Sequence, residues 1–228
     1  MFVDIHTHSI LNQEFPRILN LAFPNAEITF SSNKEGLFSV GIHPWDAVEN
    51  AEKMLSDLGR WASDNRFVAF GECGLDKHSK VSLETQLRLF SQQIELSERF
   101  QKPLIIHCVG CFNELFELKT AEKPKQLWII HGFRGKPELA KQALKNGCAL
   151  SFGEYFNPES VLITPLNKLF VETDESKLPI EEIYNRIATV KNCSPISLFA
   201  GTDFYNQILI RNKLNESFPL NLPSVGFY

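Results

Sequence analysis

Six histidines occur in 228 residues, and their placement is the first chemical signal. His6 and His8 close one short apolar run, His43 another, and His107 and His131 two more; His78 lies elsewhere. Glu72 and Asp174 close two further runs in the same way. Neutral imidazole nitrogens and carboxylate oxygens are the ordinary ligands of zinc, manganese or nickel. Burying them without such a partner would be costly. The spacing sharpens the point. Residues i and i+2 of a strand share a face, so His6 and His8 can bind one ion together. Asp4 has the same parity and could orient a ligand histidine or serve a simple hydrogen-bonding role. Glu72 can bridge two cations, which an imidazole does not do as readily. His107 and His131 then read as ligands of a second metal beside Glu72. Asp174 can bind a metal and also hold a water's proton. Glu172, of the same parity, reads as a support one layer deeper.

These residues must be brought together, and the runs they close show how. Eight apolar runs cover residues 2–5, 17–22, 38–42, 67–70, 103–106, 127–130, 148–152 and 169–171. Continuous rather than alternating hydrophobicity is what a parallel strand buried on both faces requires. Helical patterns separate them over 47–63, 82–101 and 137–146, and two more, over 179–191 and 195–210, close the chain. Pro137 at the start and Gly147 past the end of the third helix fit the expected asymmetry. The alternation predicts α/β architecture, and eight runs predict a TIM-type (β/α)₈ barrel. In such a barrel the strands' C-terminal ends share one mouth, where active sites are built. Strand-end windows cover roughly a tenth of the chain, so chance does not account for the histidines. Between Glu14 and Leu37 a strand is expected without a convincing helix, so the second βα unit reads as truncated. The Pro-rich segment 218–228 reads as extended.

Composition narrows the class. The chain is 43% hydrophobic and 22% charged, which excludes disordered and collagen-like proteins and allows a single domain over 1–228. A formal net charge of -4 argues against a sequence-reading nucleic-acid module but not against an enzyme acting on phosphate esters. Bound metals can supply positive charge that side chains do not. Five cysteines, with one lone CxxC at Cys108 and Cys111, do not make a disulfide framework. The N-terminus lacks the basic region of a signal peptide, and no apolar run approaches the ~20 residues that span a bilayer. A cytoplasmic protein with no membrane and no obligate protein partner is expected.

The ordered motifs resemble the TatD family of metal-dependent deoxyribonucleases, within the amidohydrolase-like barrels. They are Asp-Ile-His-Thr-His at 4–8, Gly-Ile-His-Pro at 41–44, Gly-Glu-Cys-Gly-Leu-Asp at 71–76, Ile-His-Cys at 106–108, Ile-His-Gly-Phe at 130–133 and Glu-Thr-Asp at 172–174. The resemblance implies two divalent ions (zinc, manganese, magnesium or nickel) and hydrolysis of DNA phosphodiesters. It implies His6, His8 and Asp174 on one ion, His107 and His131 on the other, and Glu72 across both. His43 matches a substrate-contacting histidine, although a structural or proton-transfer role is open from the residue alone. Glu175 and Ser176 stand where the family has Ala-Pro, and His-Gly-Phe-Arg-Gly at 131–135 replaces its usual segment. These changes alter the pocket wall and remove no ligand.

The expected chemistry is two-metal hydrolysis with Glu72 and Asp174 as catalytic residues. Lys77, His78, Lys80, Arg134 and Lys136 follow strand ends and could rim the mouth, with Arg134 placed to hold phosphate. The rival expectations are an amidohydrolase-like enzyme acting on another ester, amide or lactone, and a non-catalytic binding barrel.

Overall fold

A computed structural model describes residues 1–10, 14–32, 36–46 and 51–217. Eight strands, β1 (Asp4–Thr7), β2 (Arg17–Asn20), β3 (Leu37–Val40), β4 (Phe67–Asp76), β5 (Leu104–Val109), β6 (Trp128–Ile130), β7 (Ala149–Phe152) and β8 (Leu169–Val171), form one sheet in sequence order. Every neighbouring pair is parallel. The sheet curls until its ends meet. Thr7 bridges Asp174, whose backbone N–H donates to His6 O at 3.0 Å and whose carbonyl accepts from His8 N–H at 3.1 Å. The barrel is therefore closed at its mouth by the backbone of three expected ligands.

Helices alternate with the strands: α1 (Phe23–Ser32), α2 (Ala51–Trp61), α3 (Leu83–Phe100), α4 (Phe112–Glu122), α5 (Pro137–Lys145), α6 (Pro158–Ile163), α7 (Ile180–Lys191) and α8 (Ala200–Ser217). The expected (β/α)₈ barrel is present, and its second unit is short but complete, since α1 fills the interval where no helix was foreseen. Its apolar residues form no single stripe, which hid it; Pro24 in its first turn was the available start signal. α4 and α6 were also not foreseen. The last closing helix starts later than expected, with a 3-10 turn at Pro195–Ser197 ahead of α8. The start of the expected 47–63 helix and the segment 218–228 lie outside the described residues.

The core has two shells. Between sheet and helices, Phe67, Phe70, Phe90, Leu104, Trp128, Phe152 and Ile183 pack in one cluster. Inside the barrel, Val3, Ile5, Ile129, Ala149 and Phe170 form a second group, and Ile18, Val68, Ala69 and Ile105 a third. Phe204 packs on both inner groups and Ile208 belongs to the third, so α8 covers the N-terminal end of the barrel. With that end plugged by apolar side chains, the polar layer is left at the opposite end.

Two buried glutamines of α3 tie that layer down. Gln86 and Gln93 are seven apart, two helical turns, and face the sheet together. Gln86 accepts from Asp76 N–H at 2.8 Å and donates to Asp76 O at 3.1 Å. Gln93 accepts from Ile42 N–H at 2.7 Å and donates to Ile42 O at 3.2 Å. Each amide satisfies a strand-end backbone that the ladder leaves open.

Candidate metal centre

Glu72 lies in the middle of the polar layer, and its two oxygens face different neighbours. Oε1 is 2.7 Å from His8 Nε2 and 3.0 Å from His6 Nε2, and those nitrogens lie 3.5 and 3.7 Å from Asp174 Oδ1. Oε2 is 3.3 Å from His131 Nε2, 3.5 Å from His43 Nε2 and 3.7 Å from His107 Nδ1. The surrounding imidazoles, His131 and His6 foremost, hold the carboxyl far below its ordinary range although burial works against ionisation. β4 reaches this position because glycine allows close backbone approach. A Cβ at Gly74 would fall on the His107 carbonyl oxygen, and one at Gly71 on that of Ile105.

The local backbone explains why Asp174 sits between His6 and His8. Its residue adopts φ 55°, the left-handed region that aspartate tolerates better than most side chains. Asp4 holds the same junction from beneath, accepting from Thr173 N–H at 3.0 Å and Thr173 Oγ1–H at 2.6 Å. Asp4 also accepts from the His6 backbone N–H at 3.4 Å, so it fixes main chain rather than an imidazole. Burial raises the Asp4 pKa to about 7 against those hydrogen bonds.

The donor atoms fit a metal better than they fit one another. His6 Nδ1 and Nε2 and His131 Nδ1 and Nε2 are buried and make no well-aligned hydrogen bond, close as some lie to carboxylate oxygens. Atoms that converge on a common point without pairing are what a cation site requires. His6, His8, Glu72 and Asp174 bring one ligand atom each within 4.8 Å of one another, as do His43, Glu72 and His107, and His131, Glu172 and Asp174. Around Oε2 the group at ligand distance is thus His43, Glu72 and His107, whereas the expected member His131 groups with Glu172 and Asp174 and lies 3.3 Å from Oε2.

Hydrogen bonding separates these three histidines. His107 Nε2 is 2.9 Å from Asp76 Oδ2, so its proton points at that carboxylate and the Nδ1 lone pair faces Glu72. His131 Nδ1 lies 3.5 Å from Glu172 Oε1 without a well-aligned hydrogen bond, and its Nε2 faces Glu72. His43 is reversed. Its Nδ1 accepts the Trp45 backbone N–H at 3.1 Å, so the neutral ring carries its proton on Nε2. Burial lowers the His43 pKa to about 4, which keeps that ring neutral. His43 is therefore a donor toward the centre, while His107 is an acceptor.

Two contributors escaped the sequence reading. Asn20, ending β2, donates to Glu72 Oε1 at 3.3 Å and accepts from Glu72 N–H at 2.9 Å. Trp45 donates its indole N–H to Asp76 Oδ2 at 2.9 Å. Arg134 lies outside the cluster and lines an adjoining pocket with Glu154, Tyr155, Asp174 and Lys177. Lys77, His78, Lys80 and Lys136 are exposed. Cys108 and Cys111 are free thiols.

A parallel barrel with imidazoles gathered around one carboxylate defines a metal-dependent hydrolase of TIM-barrel type. The chain belongs to the TatD related DNase family, which it matches over residues 4–195. It is 29% identical over 185 residues to an uncharacterized metal-dependent hydrolase of Buchnera aphidicola, covering 72% of this chain and 69% of that one. It is 31% identical over 158 residues to deoxyribonuclease Tat-D of Schizosaccharomyces pombe, covering 60% and 50%. The crystal structure of YJJV, a TatD homolog from Escherichia coli, shares the fold with a TM-score of 0.74 at 18% identity, covering 97% of this chain and 98% of that one. The chain thus spans half to about two thirds of the length of these two sequence relatives. No helix of the described residues is long and apolar enough to cross a membrane.

Proposed function

We propose that this chain, acting as one unit over 1–228, cleaves DNA phosphodiester bonds with two divalent ions. His6, His8, Glu72 and Asp174 would hold one ion, and Glu72, His107 and His131 the other. The observation that carries this reading is the two-sided environment of Glu72, whose oxygens face separate sets of imidazole nitrogens, those of His6 on one side and His131 on the other being buried without a partner. Four imidazoles in the donor set favour zinc, manganese or nickel over magnesium.

Bound there, the ions would acidify a water and polarise a phosphoryl oxygen. Asp174 would accept the proton of that water. Burial, reinforced by Glu172, raises its pKa and makes it a stronger base than an exposed carboxylate. His43 directs its Nε2–H toward a substrate oxygen. Arg134, in the pocket beside Asp174, receives a neighbouring phosphate. The name of the Schizosaccharomyces pombe relative supports DNA as the polymer. Five free thiols fit a reducing compartment such as the cytoplasm.

The test is metal-free protein given back manganese, zinc or magnesium with an end-labelled single-stranded DNA. Metal-dependent shortening, abolished in Glu72→Ala and Asp174→Asn variants that keep the native circular dichroism spectrum, is the expected result. Intact DNA under every metal, with ions bound, would move the substrate to another ester, amide or lactone. Wild-type rates in Asp174→Asn would remove Asp174 from the reaction.

A further inference from the structure

Two exposed aromatic side chains at the mouth have no part in the metal-binding set. Trp45 is 62% exposed and Tyr155 64% exposed. Phe199, 39% exposed, directly precedes α8 at the opposite end of the barrel. Trp45 follows β3 and Tyr155 follows β7. Those strands stand four places apart in an eight-strand ring, so their loops face each other across the mouth with the metal centre between.

Both rings are held in place. The Trp45 indole N–H is fixed on Asp76 at 2.9 Å, and its ring stands edge-on to His43 at a centroid distance of 5.4 Å and 89°. One edge is pinned while most of the indole surface is left to solvent. Tyr155 carries the Arg134 guanidinium 5.3 Å from its ring centroid. That pair lines a pocket of about 450 Å³ that also contains Asp174. Leaving large aromatic surface in water forgoes burial, and restraining it as well is the preparation expected of a recognition surface. A planar ring next to a phosphate-binding centre suits one ligand chemistry above others, the π-face of a nucleobase.

We propose that Trp45 and the Tyr155–Arg134 pair are base-stacking platforms on either side of the scissile phosphodiester. They make the enzyme select phosphodiesters that carry bases over those that do not. The proposal rests on the phosphodiesterase reading of the metal centre. Stacking tolerates every base, so it selects the polymer class without reading sequence.

The experiment measures binding of a short, labelled, phosphorothioate-linked oligothymidylate to the metal-loaded protein by fluorescence anisotropy. An abasic oligomer with the same number of phosphates is run beside it. Loss of a stacked base weakens binding about tenfold or more. The expected result is that Trp45→Ala and Tyr155→Leu each raise Kd for oligothymidylate about tenfold and raise the abasic Kd by much less. Trp45→Phe, which keeps a ring and removes the N–H donor, should restore most of the affinity. Trp61 and Trp128 are buried, so binding should also quench the intrinsic fluorescence, and Trp45→Phe should abolish that quenching. Unchanged affinity in both variants, with cleavage intact, would overturn the platforms and leave the nuclease standing. A Trp45→Phe variant as weak as Trp45→Ala would show that Trp45 acts only by holding Asp76, which also overturns its stacking role. Failure of the wild type to bind or cut DNA would overturn both readings together.

Discussion

The histidines around Glu72 differ in which nitrogen their neighbours leave free, and that difference predicts different phenotypes. His107→Ala and His131→Ala should each lose one ion per chain. His43→Ala should keep the full metal complement and lose turnover, because its proton faces the centre rather than a lone pair. Metal analysis beside rate measurement checks this; loss of metal in His43→Ala would refute the assignment. Asp76→Asn should weaken metal binding about 10- to 100-fold by loosening the orientation of His107, as measured by titration calorimetry. The histidines that gather around Glu72 were legible in the sequence because all five end apolar runs. Asn20 and Trp45 were not. A neutral amide and an indole occur at many strand ends and loops, and only tertiary contact reveals that they hold Glu72 and Asp76.

At the level of elements, the strands were readable and several helices were not. Each of the eight expected runs overlaps a strand, because a doubly buried strand leaves a continuous apolar signature. α1 lacks a one-sided stripe, α6 is only six residues long, and α4 opens at Cys111 without a side-chain cap, so their local signals are weak. How far β4 runs was equally hidden. It continues past Phe70 through two glycines to Asp76, paired with β5. Tyr184 shows what joins such elements. Its hydroxyl donates to Val3 O at 3.0 Å and accepts from Val3 N–H at 3.3 Å, fastening α7 to the start of β1. Tyr184→Phe leaves both backbone groups buried and unpaired, so it should cost about 1–3 kcal/mol in urea unfolding. A value near zero would mean that water replaces the hydroxyl. Gln86→Leu should act similarly on Asp76 and should also weaken metal binding, which Tyr184→Phe should not.

The whole molecule concentrates its polar residues at one end of an otherwise apolar barrel, and metal binding should therefore report on folding. Ions that bind only the native state at about 100 times Kd add about 2.7 kcal/mol. For a chain of this size that is roughly 5–10 °C in Tm, so chelation should lower the calorimetric midpoint by about that much. Acid should act in the same direction. In the metal-free centre the hydrogen bond that His8 donates to Glu72 raises the pKa of His8, and the Glu72 and Glu172 charges, overcoming burial, raise that of His131. Protons thus compete with metal from above the ordinary imidazole value of 6.5, and affinity should fall as pH drops through that region. The most direct test of the shared centre is DNA cleavage followed while metal is added stepwise to metal-free protein. A carboxylate spanning both ions predicts little cleavage at one equivalent, full cleavage at two, and none in Glu72→Ala at any loading. Full activity at one equivalent, or activity retained in Glu72→Ala, would contradict it.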